Sequence, residues 1–573
     1  MGVATTRLDE RLLASLGKLE VAPIRFEAVA DVPSGGVLCA LPALLALGLL
    51  RHSQKNFSLP AGFYPLASIF LVIAFLGLAR VKSLEGVRYE PPGEWGKLLG
   101  LDRIPEVRTL REKVQILCAD GKKVGEWSQI LAREWMAADE ESAGTLYIDG
   151  HVRVYHGHLT ELPRRYVARQ RLCLRGTTDY WVNAMDGQPF FVVTQAADPG
   201  LLKVLEEQIV PRLLKDVPGQ PTQAELDAEP RRCRFSLIFD RAGYSPEFFA
   251  RMWVLRIALI TYHKFPQEQW AQEEFSPRKV RLINGEEVEL CLAERGVCLS
   301  NGFWMRELRQ REASGHQVSM LCSDYQRELS AAAVALFARW CQENFFQYMG
   351  QHYGLDRLIE YGTQALPETT MVVNPAWRQQ DQAVRRERAL LMRQQVRFAA
   401  LSLPPEASPE VAAEFEKEKG KLLGQIQQHQ TTLTELKAHR KEKAKHIALK
   451  DLPEKERFRQ LAPTKKQFVD TIKLIAYRAE TALVQVLREK LQREDDARAL
   501  VRQIFDSAVD LSPDQQQKTL TVRLHRLSTP AHDEILRHLC VELTDSETAF
   551  PGTELRLIFE PIGTNQLPRD QES

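Results

Sequence analysis

Residues 145–157 read TLYIDGHVRVYHG, and residues 235–244 read FSLIFDRAGY. Each stretch opens as a short run of apolar, aromatic and β-branched residues, the pattern of a buried strand, and each run stops at a carboxylate, Asp149 or Asp240. A carboxylate at the end of a buried strand costs free energy unless something compensates it. If the two strands lie side by side, their like charges repel, and a cation placed between them removes the conflict. Ligands that are all oxygen suit Mg²⁺ or Mn²⁺ and do not suit zinc. The two stretches therefore predict a shared divalent-metal site that a third acid would complete. Taken singly, a strand-end Asp is as often a cap for a turn or helix.

Around these stretches the chain alternates. Strand-like segments at 145–149, 179–185, 189–194, 235–239 and 255–262 are interleaved with helical patterns at 199–214 and 246–253, and DGQ at 186–188 makes a hairpin turn. This order predicts an α/β (α+β) fold built on a mixed sheet with helical crossovers. Short strand-like pieces at 275–325 interrupt the alternation and read as a β-rich insertion. A helix is expected over 331–353, with Ala333, Phe337, Cys341, Phe345 and Tyr348 as one apolar stripe and Glu343 on the adjoining surface. Arg339 stands four residues before Glu343, close enough on a helix to pair with it.

Six segments follow: a helical region over 1–140, the first part of the core over 141–274, the insertion over 275–325, the rest of the core over 326–375, a basic helical or coiled-coil region over 376–510, and a small αβ tail over 511–573. In the fifth, Phe415, Leu422, Ile426, Leu433 and Leu436 hold heptad positions while Lys419, His429 and Arg440 interrupt them, which predicts a helical hairpin or a short coiled coil.

With the acids placed in this order, the sequence resembles the DDE transposases of bacterial insertion sequences, specifically those whose ribonuclease H-like core is interrupted by strands before the last acid. The resemblance spans roughly residues 140–365. It rests on Asp149, on Asp240 within DRAGY, and on Arg339 and Glu343, which match the centre of Tyr-x2-Arg-x3-Glu-x6-Lys; Leu336 and Gly350 replace the outer Tyr and Lys. The resemblance implies catalysis by Asp149, Asp240 and Glu343 holding two Mg²⁺ or Mn²⁺ ions, cleavage and joining of double-stranded DNA at the element's ends and target, and a homodimer on DNA. It also implies a location on the bacterial nucleoid in the cytoplasm. A catalytically inactive or domesticated DNA-binding relative is the alternative.

Composition fits this expectation. The 573 residues are 44% hydrophobic and 26% charged with a formal net charge of +1, so any phosphate-binding surface must be local. Candidates are Arg108 and Arg111 on a helix-turn-helix-like segment, Arg164 and Arg165 in RRYVARQR, Arg241 and Tyr244 beside the second acid, and Arg339. His151, His156 and His158 have no further ligand at zinc spacing. Nine cysteines occur singly without a Cys-x-x-Cys pair, as expected of a reducing compartment. No glycine-rich loop calls for a nucleotide cofactor. Two apolar runs, 35–50 and 65–79, fall short of the roughly 20 residues that span a bilayer and predict a buried helical pair, with a membrane hairpin as the alternative.

Overall fold

The computed structural model describes residues 5–562 except 158–161, 163, 168–169, 196–198, 267, 283–284, 358–362, 404–407, 455–456, 458 and 492. Its largest sheet is assembled from the two quoted stretches outward. Strand β1 (Thr145–Val154) pairs antiparallel with β2 (Leu172–Asn183), which pairs antiparallel with β3 (Pro189–Gln195). On its other side β1 runs parallel to β4 (Phe235–Phe239), and β4 runs parallel to β5 (Ile257–Tyr262). The order β3-β2-β1-β4-β5, a meander followed by two parallel strands, makes the mixed sheet with helical crossovers expected above.

The local chemistry accounts for these elements. FSLIF is buried at every position, as a parallel strand covered on both faces requires. The crossover helix Pro246–Val254 begins with Pro246 in its first turn, and the Ser245 hydroxyl accepts the Phe248 N–H. The crossover ahead of β4 is expected as one helix over 199–214, and it forms as Leu201–Val204, a π-turn at Leu205–Ile209 and Val210–Asp216.

The β-rich insertion consists of β6 (Ser276–Arg281), β7 (Glu287–Cys298), β8 (Trp304–Arg311) and β9 (Gln317–Cys322). These strands extend the core sheet itself: β9 pairs antiparallel with β5, Met320 opposite Tyr262, and β8, β7 and β6 follow outward. The edge of β5 is thereby covered and offers no unpaired ladder.

Contacts divide the chain into two compact units, one holding residues 1–155, 165–362 and 461–573, the other 156–164 and 363–460. The expected boundaries at 140 and 510 coincide with neither. In the first unit, strand Val29–Val32 pairs with β10 (Val509–Asp514), and β11 (Thr519–Leu524) and β12 (Arg556–Pro561) complete a four-stranded sheet, so the expected tail and the expected helical N-terminal region meet in one element. The apolar runs are buried as expected: the first becomes the 3₁₀ turn Gly35–Ala40 and helix Leu41–Ala46, the second helix Leu66–Leu78. Phe70 and Trp127 pack on Phe468 of the long helix Thr464–Arg488, at centroid distances of 5.2 and 5.6 Å. Among the described residues, no helix is long and apolar enough to cross a membrane.

The second unit is an antiparallel pair of helices, Pro375–Ala400 and Pro409–Lys441, closed around Val384, Leu391, Ile426 and Leu433. The polar residues at heptad positions find partners inside the hairpin. His429 Nδ1 lies 2.5 Å from a Glu387 oxygen, Arg440 pairs with Asp381 at 2.6 Å, and the Lys419 ammonium stands 5.6 Å from the Phe398 ring centre.

Candidate active site

Strand register brings the first two acids together. β1 and β4 are paired up to Ile148 opposite Phe239, so Asp149 and Asp240 follow on adjacent strands about 4.8 Å apart. The sequence leads one to expect both strands to end at their acids, yet only β4 does. β1 continues to Val154 because β2 keeps supplying a ladder partner, Trp181 opposite Asp149 and Gly176 opposite Val154. Asp240 also caps a turn, its Oδ1 accepting the Ala242 N–H at 2.8 Å, and the Gly150 N–H donates to Asp149 Oδ1 at 2.8 Å.

The third acid arrives on a helix that differs from the expected one. Residues 331–353 do not form a single helix: Leu329–Phe337 stops, Ala338 and Arg339 make a corner, and Trp340–Tyr348 starts anew, with Glu343 in its first turn. The buried stripe also differs from the expected one and runs through Ala335, Ala338, Gln342, Phe345 and Met349. Phe337 and Cys341 are only partly covered.

Two hydrogen-bonding side chains that the sequence reading passed over fix these segments against the sheet. The Tyr147 hydroxyl donates to the Ala335 carbonyl at 2.6 Å. Fully buried Gln342 donates from Nε2 to Asn183 Oδ1 at 2.9 Å and to the carbonyls of Trp181 and Tyr147 at 3.3 and 3.4 Å. Gln342 was detectable in principle, since it is the one polar residue on an otherwise apolar i, i+3, i+7 stripe. The hairpin turn of β2 and β3 approaches from the other side: Gly187, at φ +87°, has room for no Cβ, which would stand 2.9 Å from the Cys341 carbonyl oxygen.

Arg339, placed at the corner, links the acids. Its Nη1 lies 3.2 Å from Asp149 Oδ2 and its Nη2 2.6 Å from Glu343 Oε1, so the first and third acids hold one guanidinium between them. The Asp149 carboxyl is pushed up to about 6: burial and, less strongly, the negative charges of Asp240 and Glu343 raise it, while Arg339 and the Gly150 N–H pull it down. The site thus carries more negative charge than its arginine neutralises. The three carboxylates surround Arg339 without meeting at one point. Among the described residues, the one acid-and-histidine group whose ligand atoms all lie within 4.8 Å of each other is Asp31, Asp510 and His525, in the N- and C-terminal sheet.

The candidate DNA contacts are spread over the surface. Arg241 is exposed next to Asp240, its guanidinium 5.6 Å from the Tyr262 ring centre, and Tyr244 stacks on His263 at 6.0 Å. Arg164 is exposed, and the side chain of Arg165 lies outside the described residues. On helix Val107–Leu117 the apolar side, Leu110, Val114 and Leu117, is buried, while Arg108 pairs with Glu112 at 3.0 Å and Arg111 pairs with Glu85. Asp186 and Asp324 cap turns, accepting the N–H groups of Gln188 and Gln326. His158 lies outside the described residues.

No curated protein matches the chain. A match to the family described as "Transposase protein" runs from residue 2 to residue 563 and so takes in both compact units and the acids around Arg339. The chain belongs to this transposase family.

Proposed function

We propose that this transposase is of the DDE type, with Asp149, Asp240 and Glu343 as the ligands of two divalent ions, cutting the ends of a mobile element and joining them to target DNA. The observation that carries the reading is the Arg339 guanidinium shared by Asp149 and Glu343, a cation already lodged between acids that come from a strand and a distant helix. The donor set fits Mg²⁺ or Mn²⁺: carboxylate oxygens only, with burial and then the neighbouring acids raising the Asp149 carboxyl to about 6. When bound, such ions activate water and then the freed 3′ hydroxyl, and stabilise the leaving oxygen.

The protein's own groups do the rest. β1 and β4 hold Asp149 and Asp240 in register, while Gln342 holds the Glu343 helix against β1 and β2 and the Tyr147 hydroxyl holds the helix that precedes it. Arg339 neutralises the acids before metal binding. Released from them, its planar fork suits a DNA phosphate. Arg241, Tyr244 and Arg164 supply further backbone contacts, and joining two ends calls for two copies of the site, hence a dimer on DNA.

The test uses a linear duplex carrying the DNA that borders the coding sequence, with MgCl₂ or MnCl₂. Asp149→Asn is expected to lower strand cleavage at least a thousandfold while retaining DNA in a mobility-shift assay, and EDTA to do the same to the wild type. Cleavage by Asp149→Asn at the wild-type rate overturns the reading.

A further inference from the structure

His151 follows Asp149 by two residues on β1 and therefore projects from the same face of the strand. Its ring lies nearly flat on Phe346, with centroids 5.0 Å apart and planes 26° apart. Phe346 is one turn beyond Glu343 on the same helix, and its edge also meets Trp181, the residue opposite Asp149 on β2, at 6.2 Å. His151 Nε2 is hydrogen-bonded to Asp356, which lies beyond the π-turn Met349–Tyr353 that ends this helical segment. The side chain is only 12% exposed, whereas Asp356 remains 37% exposed. One imidazole thus joins the strand of the first acid to the middle of the segment that carries the third and to the residue beyond its C-terminal end.

We infer that His151, seated on Phe346 and held by Asp356, is a positioning residue for strand cleavage: it sets the spacing between the strand bearing Asp149 and the helix bearing Glu343. The inference rests on the assignment of those two acids to catalysis. An imidazole has the two features such a coupling needs, a flat face for the aromatic ring and a donor fixed in direction by a carboxylate. An amide side chain of similar reach offers both in weaker form, so the coupling is open to partial rescue.

Cleavage of the bordering-DNA duplex is measured for His151→Ala, His151→Gln, Asp356→Ala and the double alanine variant, with Asp149→Asn alongside. The expected result is a fall of ten- to a hundredfold in kcat for His151→Ala and Asp356→Ala with KM for DNA within twofold, recovery to within about fivefold of wild type in His151→Gln, and a double variant no worse than either single one. Asp356→Ala, at a partly exposed position, keeps the test decisive if His151→Ala fails to fold. Wild-type kcat in Asp356→Ala, a loss expressed in KM alone, or multiplying losses in the double variant overturns the inference. If Asp149→Asn is inactive in the same assay, such a result leaves the assignment of the acids standing. If Asp149→Asn is fully active, the assignment itself fails.

Discussion

At the scale of single residues the site is defined by a conflict of charge. Asp149 is half-buried beside two other carboxylates, and its carboxyl is pushed up to about 6 in the fold from an ordinary value of 3.8. A carboxyl raised in this way opposes folding once it ionises: the cost is absent below the unfolded-state value, grows between the two, and is complete above about 6. Asp149→Asn should accordingly raise the unfolding temperature in metal-free buffer at pH 8, by an amount that shrinks as the pH falls through 6 toward 4. Mg²⁺ should stabilise the wild type and leave the variant unmoved, because a ligand that binds the folded state raises its stability. A pH-independent difference measured by calorimetry would show that the carboxylate is not strained. The three acids and the Arg339–Glu343 pair were legible in the sequence, since residue type and an i, i+4 spacing suffice for them. The second bond of Arg339, to Asp149, was not, because it depends on where a distant helix lands.

At the scale of elements, the segment that carries Glu343 is placed by its anchors. The expected stripe of Phe337, Cys341 and Phe345 gives way to Ala335, Ala338, Gln342, Phe345 and Met349, a helical phase that runs through the corner at Ala338 and Arg339 and puts Gln342 against the sheet. Gln342→Leu removes the donor that serves Asn183, Trp181 and Tyr147 and leaves buried acceptors unpaired, which costs about 1–3 kcal/mol. The expected outcome is a lower urea midpoint together with slower cleavage, since the strands carrying the acid and the helix share this one amide. Gly187→Ala tests the same packing from the turn. A Cβ there meets the Cys341 carbonyl at 2.9 Å on a backbone at φ +87°, so thermal unfolding should shift downward. Elements with strong periodicity or a turn signal, such as β2 and β3 around DGQ or the crossover Pro246–Val254, were readable locally. The corner was not: alanine and arginine are both good helix formers, and nothing in their propensity calls for a break.

At the scale of the whole molecule, the long helix Thr464–Arg488 is the axis of the first unit. Glu480, fully buried on it, accepts from Arg80 Nη2 at 2.7 Å and from the hydroxyls of Tyr348 and Tyr353, so residues from the N-terminal, middle and C-terminal thirds share one carboxylate. Burial pushes this carboxyl up, but Arg80 and the two tyrosines outweigh it and hold it below the usual range. Arg80→Ala leaves the charge uncompensated, and a loss of about 3–5 kcal/mol in a denaturant titration is expected. The wild-type contribution is present at neutral pH and lost as the pH falls through the depressed value. In Arg80→Ala, pairing with Glu480→Gln should restore part of the stability by removing the stranded charge.

What the amino-acid sequence determined by itself was the strands of the core and its insertion, their alternation with helices, and the order of the acids along the chain, because each follows from local pattern: an apolar run, a turn residue, a carboxylate where an apolar one was due. The joining of Val29–Val32 to the C-terminal sheet, the extension of the core sheet by β6–β9, the partners of Glu480 and the bridge from Arg339 to Asp149 were decided only in three dimensions. They are pairings between residues far apart in the chain, and no local preference specifies which buried edge or charge a distant segment will satisfy until the core has closed around it.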